Sequence, residues 1–292
     1  MLIYLDTKDL INIFEKYNPC SADQFDIILR QGDHKLVYSL LNIIEISEPL
    51  LYGNAKTNVM SLLNRIEETP HIYIHSSKIP HLELTSAAEA YINGKDYSSI
   101  DPYVQQFGYT LDLDSQPATK NYLNYSLAEI IWEIYCLGKL SGLDCYAKRF
   151  KQIVIEDRSL STKPSLKYFF SAVIERQLRY HQVSISNIDI KLFSDWIYSD
   201  PVRCPSLRLG YELFHKMTKN IDDEPIPSDM EDFCHIDCLP YVDLLTIDRR
   251  MHGYVSQVCK SIQANHDKKL CNNSKEIIDK LIATSNHSTI LF

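Results

Sequence analysis

The chain has 292 residues, with 30 Lys+Arg against 38 Asp+Glu, and so a formal net charge of −8. A hydrophobic share of 45% and a charged share of 23% describe a folded chain with ample core and exclude a disordered one. No apolar run approaches the roughly 18 residues of a membrane span, and the acidic total excludes a protein that coats nucleic acid through bulk positive charge.

The opening MLIYLDTKDLINIFEKYNP lacks a basic n-region and carries Asp6, so it does not read as a signal peptide, and a cytoplasmic protein is expected. Leu2–Leu5 and Lys35–Tyr38 are rich in strand formers. Between them, Leu10, Ile11, Ile13 and Phe14 begin one helical pattern, and Phe25, Ile27, Ile28 and Leu29 form a second that stops at Gly32. Leu40–Glu45 reads as a helix running toward Pro49, residues 55–68 as another, and Ile72–Ile74 as a third strand. Strands alternating with helices predict a parallel sheet.

Residues 79–227 have a different character, that of a large helical insertion. Ser86-x-x-Glu89 and Ser126-x-x-Glu129 fit capping boxes, and 143–156, 165–181, 189–198 and 206–219 carry helical patterns. After the turn-rich Asp222–Pro227, a third box at Ser228-x-x-Glu231 opens a helix carrying Asp232 and His235. A strand over Val242–Asp248 ends in an acid; helices at 250–263 and 274–283 follow, and Thr289–Phe292 can form a last strand. The division is therefore 1–78 and 228–292 as two halves of one α/β domain, with 79–227 between them. The eight cysteines read as free thiols of a reducing cytosol. Cys234-His235-x-x-Cys238 lacks the second pair that a zinc site needs.

Ligands of an open parallel sheet bind outside the carboxyl ends of its strands. Asp6 and Asp248 each follow a strand, Glu45 lies on the helix after the second, and Asp232 in the first turns of its own, with Asp229 three residues earlier. Converging carboxylates persist only if cations neutralise them, and hard oxygen ligands select Mg²⁺ or Mn²⁺, which can activate water against a phosphodiester. Each acid also has a plainer role open to it. Asp6 could equally cap a helix, Asp229 could favour its helix dipole and Asp243 could be a turn residue. His235 reads as a packed histidine rather than a ligand. Glu45 stands inside the apolar run Leu40–Ile46, which a solvated helix face does not explain.

Together these residues resemble the PIN-domain nuclease family. Leu2-Ile3-Tyr4-Leu5-Asp6-Thr7 looks like its first strand and Asp-Thr pair, although Lys8 replaces the usual polar residue. LVYSLLNIIEIS, residues 36–47, resembles the strand and helix bearing its glutamate, here Glu45. The most specific match, SDMEDFCHIDCLPYVDLLTIDRRM, residues 228–251, places the third and fourth acids at Asp232 and Asp248, with Asp243 and Asp229 as auxiliaries. The resemblance covers about 1–78 and 228–292. It implies a three-layer α/β/α fold with a mostly parallel sheet, and Mg²⁺- or Mn²⁺-dependent endonucleolytic cleavage of RNA; it leaves open whether single-stranded DNA is accepted. PIN-like proteins often pair, so a homodimer is compatible with it. Lys8, Arg249 and Arg250 are expected to contact the substrate backbone, with Arg203, Arg208, Lys148, Arg149 and Lys151 as further phosphate contacts.

Other readings are weighed against this. A haloacid-dehalogenase-like phosphatase needs an acid where Lys8 stands, and neither G-x-G-x-x-G nor a Walker A motif is present. The non-enzyme alternative is a degenerate PIN-like domain serving as a protein- or RNA-binding module.

Overall fold

The computed structural model describes residues 1–288 except 17, 54–55, 112–121, 141–143, 160–165, 184–187 and 227. Among the described residues six strands form one sheet: β1 (Leu2–Tyr4), β2 (Lys35–Ser39), β3 (His71–Ile74), β4 (Tyr103–Val104), β5 (Leu244–Thr246) and β6 (Leu270–Cys271). Their order is β4-β3-β2-β1-β5-β6. Every neighbouring pair is parallel except β3 and β4. Successive side chains of a strand alternate between faces, and both faces here are buried. Ile3, Leu5, Leu36 and Tyr38 enter one core, whereas Tyr4, Val37 and Leu245 enter another.

The first core is closed by α1 (Thr7–Phe14), α2 (Ala22–Gln31), α3 (Leu40–Ser47), α4 (Lys56–Glu68), α6 (Leu127–Cys136) and α13 (Ser274–Ser288). The second is closed by the start of α5 (Ile79–Ile92) and by α10 (Pro205–Lys219), α11 (Asp229–Ile236) and α12 (Arg249–Ile262). A third, smaller core joins the outer part of α5 to α8 (Leu166–Tyr180) and α9 (Ile190–Tyr198) through Leu84, Phe170, Ile174, Phe193 and Ile197. The remaining helix, α7 (Asp144–Ser159), sets Phe150 against Phe214 and Phe233. Segment 79–227 is thus woven into the sheet's own layers: it supplies β4, α6 beneath one face and α10 beneath the other. Its helical periodicity is correct, but periodicity says nothing of which core a helix will join.

Local signals differ in how they are used. The Ser126–Glu129 capping box forms. Ser86 instead lies inside α5, donating to the Ser98 carbonyl at 2.8 Å, because that helix starts earlier, at Ile79-Pro80. Ser228 occupies the N-cap position of α11 without a side-chain cap bond. The strand expected at Thr289–Phe292 lies outside the described residues. Among the described residues no helix is long and apolar enough to cross a membrane.

The chain leaves β1 outward through β2 and β3, then returns to place β5 on the other flank of β1. The direction of winding therefore reverses between β1 and β5, and their carboxyl ends frame the crevice that such a switch point opens.

Candidate functional site

Asp6 follows β1 at that crevice, with only Leu5 between it and the strand's last residue, Tyr4. It occupies the N-cap position of α1 but makes no side-chain cap bond, so its carboxylate is left to the crevice. Its backbone N–H donates to Thr246 Oγ1 at 2.7 Å, tying the end of β1 to β5. Glu45 arrives by a different route. Ser39 ends β2 and caps α3 in a reciprocal box with Asn42, so strand passes into helix without a loop. Asn42 Nδ2 donates to the Leu5 carbonyl and to Thr7 Oγ1, each at 3.2 Å, which fixes α3 against the turn after β1. Thr7 in turn donates to Glu45 Oε2.

The third member is His235. On α11 it lies three residues after Asp232, so the two share a face. Its Nε2 lies 3.3 Å from Glu45 Oε2 and 4.0 Å from Asp6 Oδ1. Donor atoms of Asp6, Glu45 and His235 all fall within 4.8 Å of one another. Behind the ring, Nδ1 lies 2.5 Å from the buried Tyr4 hydroxyl, which lies 2.7 Å from Ser39 Oγ. If Nδ1–H donates to Tyr4 and Tyr4 donates to Ser39, the Nε2 lone pair is directed at the carboxylates. That is how outer-shell partners orient a metal-binding imidazole.

The electrostatics reflect crowding. Burial raises the Asp6 pKa, His235 pulls it down, and Glu45 pushes it up again. Asp232 is pushed up to about 8, first by burial and then by the charges of Asp248 and Asp6. Burial opposes a charge on His235, yet Glu45, Asp6 and Asp232 outweigh it and raise the imidazole above its ordinary value. Three acids and an imidazole thus share charge in a nearly dry space. Asp248 stands at the same edge and is partly committed elsewhere, since Oδ1 accepts from Met251 N at 2.7 Å and caps α12.

The remaining sequence expectations fall in other places. Asp243 is at the opposite, amino end of the sheet: its carboxylate accepts from Leu2 N at 2.7 Å and its N–H donates to the Leu2 carbonyl. That position sets it apart from the Asp6 pocket. Buried Asp229 pairs with Arg250, which also binds Asp223 at 2.9 Å. The guanidinium expected to meet substrate is therefore held between two acids. Lys8 and Arg249 are exposed. Arg208 is buried, bound to Glu212 at 2.9 Å and lying over the Tyr198 ring at 3.5 Å, and is closed to phosphate. Arg203 is likewise occupied by Asp200 and by the Trp196 ring. Lys148 and Arg149 are exposed on α7, where Lys151 is half-buried.

Sequence reasoning set His235 aside, although its spacing from Asp232 was a usable signal. Tyr4, Ser39 and Asn42 carry no motif of their own beyond the Ser39-x-x-Asn42 cap, whereas Thr246 belongs to the Thr-x-Asp that ends in Asp248. No family model, curated protein or solved structure matches the chain.

Proposed function

We propose that the protein is a metal-dependent phosphodiesterase of PIN-like, three-layer architecture: an endoribonuclease acting on RNA and, through the same backbone chemistry, on single-stranded DNA. The observation that carries this reading is the meeting of Asp6, Glu45 and His235 within 4.8 Å at the switch point of the sheet.

The donor set suits a divalent ion. Two carboxylates suit Mg²⁺ or Mn²⁺, and the imidazole nitrogen moves the preference toward Mn²⁺. Asp6, Glu45 and His235 would hold the ion, with Asp232 and Asp248 completing the acidic wall. Bound there, such an ion supplies a Lewis acid for a phosphoryl oxygen and lowers the pKa of an attached water. The chain's own contribution is placement: Thr7 fixes Glu45, Tyr4 fixes the ring of His235, and Asp232, its pKa pushed up to about 8, holds a proton beside them near neutral pH. Lys8 and Arg249, exposed beside the pocket, would meet neighbouring phosphates.

The test is incubation of the protein with RNA and single-stranded DNA pools, with Mn²⁺, with Mg²⁺ and with EDTA. Metal-dependent cleavage that Asp6→Asn abolishes is expected. Cleavage by Asp6→Asn at the wild-type rate would sink the assignment. A protein that takes up no Mn²⁺ by calorimetry and cuts neither pool would leave the binding-module reading in its place.

A further inference from the structure

A cleft with one cationic wall lies where α10 packs on α12. Its sides include Lys216, Lys219 and Asn220 from the end of α10, and Arg250, Gly253 and Gln257 from α12. Lys216 and Lys219 are both exposed, three residues apart on one helix face. Arg250, Gly253 and Gln257, at i, i+3 and i+7, share a face of α12. The acid of the cleft, Asp223, is already held by Arg250 at 2.9 Å and by the Tyr254 hydroxyl at 2.5 Å. The two lysines therefore set the sign of the cleft, in a chain whose formal net charge is −8.

Gly253 is the second, independent observation. It stands in the interior of α12, where glycine is less stable than alanine. Its backbone is not among those with positive φ, and a Cβ at this position would meet nothing within 4 Å. Neither conformation nor packing calls for glycine here. The missing side chain leaves an unobstructed stretch in the wall of the cleft, which is what the close approach of another backbone requires.

We propose that this cleft is the track for the phosphodiester backbone of a single-stranded nucleic acid, entering at Gln257 and leading past Gly253 and Arg250 to the acid pocket. The identity of the ligand rests on the nuclease reading above. At 1.5 Å per residue, the path from Asp248 to Gln257 is about 13 Å along the helix, room for a few nucleotides. Lysine ammonium groups and side-chain amides are donors suited to phosphate oxygens, which position a strand without reading its bases. RNA and DNA of one sequence should therefore bind alike.

Fluorescence anisotropy with a labelled 12-nucleotide single-stranded RNA and its DNA counterpart, in EDTA, tests this without cleavage. Replacing both lysines, Lys216→Gln with Lys219→Gln, should weaken both arms at least tenfold. It should also flatten the slope of log Kd against log salt by about 1.4, two phosphate contacts at about 0.7 each. Gly253→Gln should weaken binding strongly and Gly253→Ala to a smaller, measurable extent, each with a Tm at or above wild type. Unchanged affinity and slope in the double lysine variant overturn the cleft, and so does wild-type binding by Gly253→Gln. If the double variant cuts the RNA in Mn²⁺ with unchanged KM, the cleft falls and the nuclease stands. Lysine-dependent binding by a wild-type protein that cuts nothing in Mn²⁺ removes the nuclease reading alone.

Discussion

Glu83 offers a quantitative test of the fold's electrostatics away from the acid pocket. It is fully buried on α5, and its carboxylate accepts from Ser206 N at 2.8 Å, Leu207 N at 3.1 Å and the Tyr241 hydroxyl at 2.5 Å. It thus caps the start of α10, whose own N-cap residue, Cys204, is left-handed and supplies no side-chain cap. Burial pushes the Glu83 pKa from 4.5 up to about 7, against the opposing pull of these three donors. With the folded pKa above the unfolded one, the folded state binds the proton more tightly. The contribution to stability is therefore whole below pH 4.5 and is lost as pH rises through about 7. Integrating the two titrations gives a loss of about 2.5 kcal/mol between pH 5 and pH 8. Glu83→Gln removes the titration while keeping the shape and an acceptor for Ser206. Urea unfolding at a series of pH values should show the difference in stability, wild type minus variant, falling by about that amount across this window. A difference that stays flat with pH would refute the reasoning, because it would mean that the buried carboxyl does not change charge in the folded protein.

The other predictions concern the site. Calorimetric titration should find Mn²⁺ bound more tightly than Mg²⁺, and His235→Ala should weaken Mn²⁺ roughly 10- to 100-fold while changing Mg²⁺ less. Tyr4→Phe should weaken Mn²⁺ by about tenfold through the untethered ring, and equal losses for both ions would argue against a nitrogen ligand. Arg250→Met leaves the carboxylate of Asp229, fully buried, without its cation, and should cost about 3–5 kcal/mol in chemical denaturation. Adding Asp229→Asn should return a large part of that loss, and strict additivity of the two changes would contradict a direct pair.

How much of this was legible depends on the range of the interaction responsible. β1, β2, β3 and β5 could be read because their residues are apolar on both faces, a property local to each segment. β6 could not, because a two-residue strand in the polar surroundings Lys268-Lys269-Leu270-Cys271-Asn272 gives no periodicity to read. Asp6 and Glu45 were found by their position after strands, since strand direction alone determines which edge of a sheet they reach. Asp243 shows the limit of the same rule: being an acid beside β5 is not enough, because a residue before a parallel strand lies at the edge opposite to one after it. The role of His235 depends on Tyr4, 231 residues away in sequence, and nothing in its neighbours announces that contact. The fate of Arg250 depends similarly on where Asp223 and Asp229 fold.

Total charge is a poor guide to partners once the distances are known. At physiological ionic strength fields are screened over about 8 Å, less than the roughly 13 Å along α12 that separates Asp248 from Gln257. A phosphate at the Gln257 end of the cleft is therefore largely insulated from the pocket of Asp6, Glu45, Asp232 and Asp248. Near Arg250 the situation changes. There the guanidinium is neutralised by Asp223 and Asp229, and the next charges inward are carboxylates. A strand could complete the path only if those carboxylates were balanced by a divalent ion. On this reading the lysines hold the strand in the cleft by direct contact, while the metal decides whether its backbone can advance to where it would be cut. The excess of acids then does not weaken binding in general; it makes the last step of binding conditional on the ion that the chemistry needs.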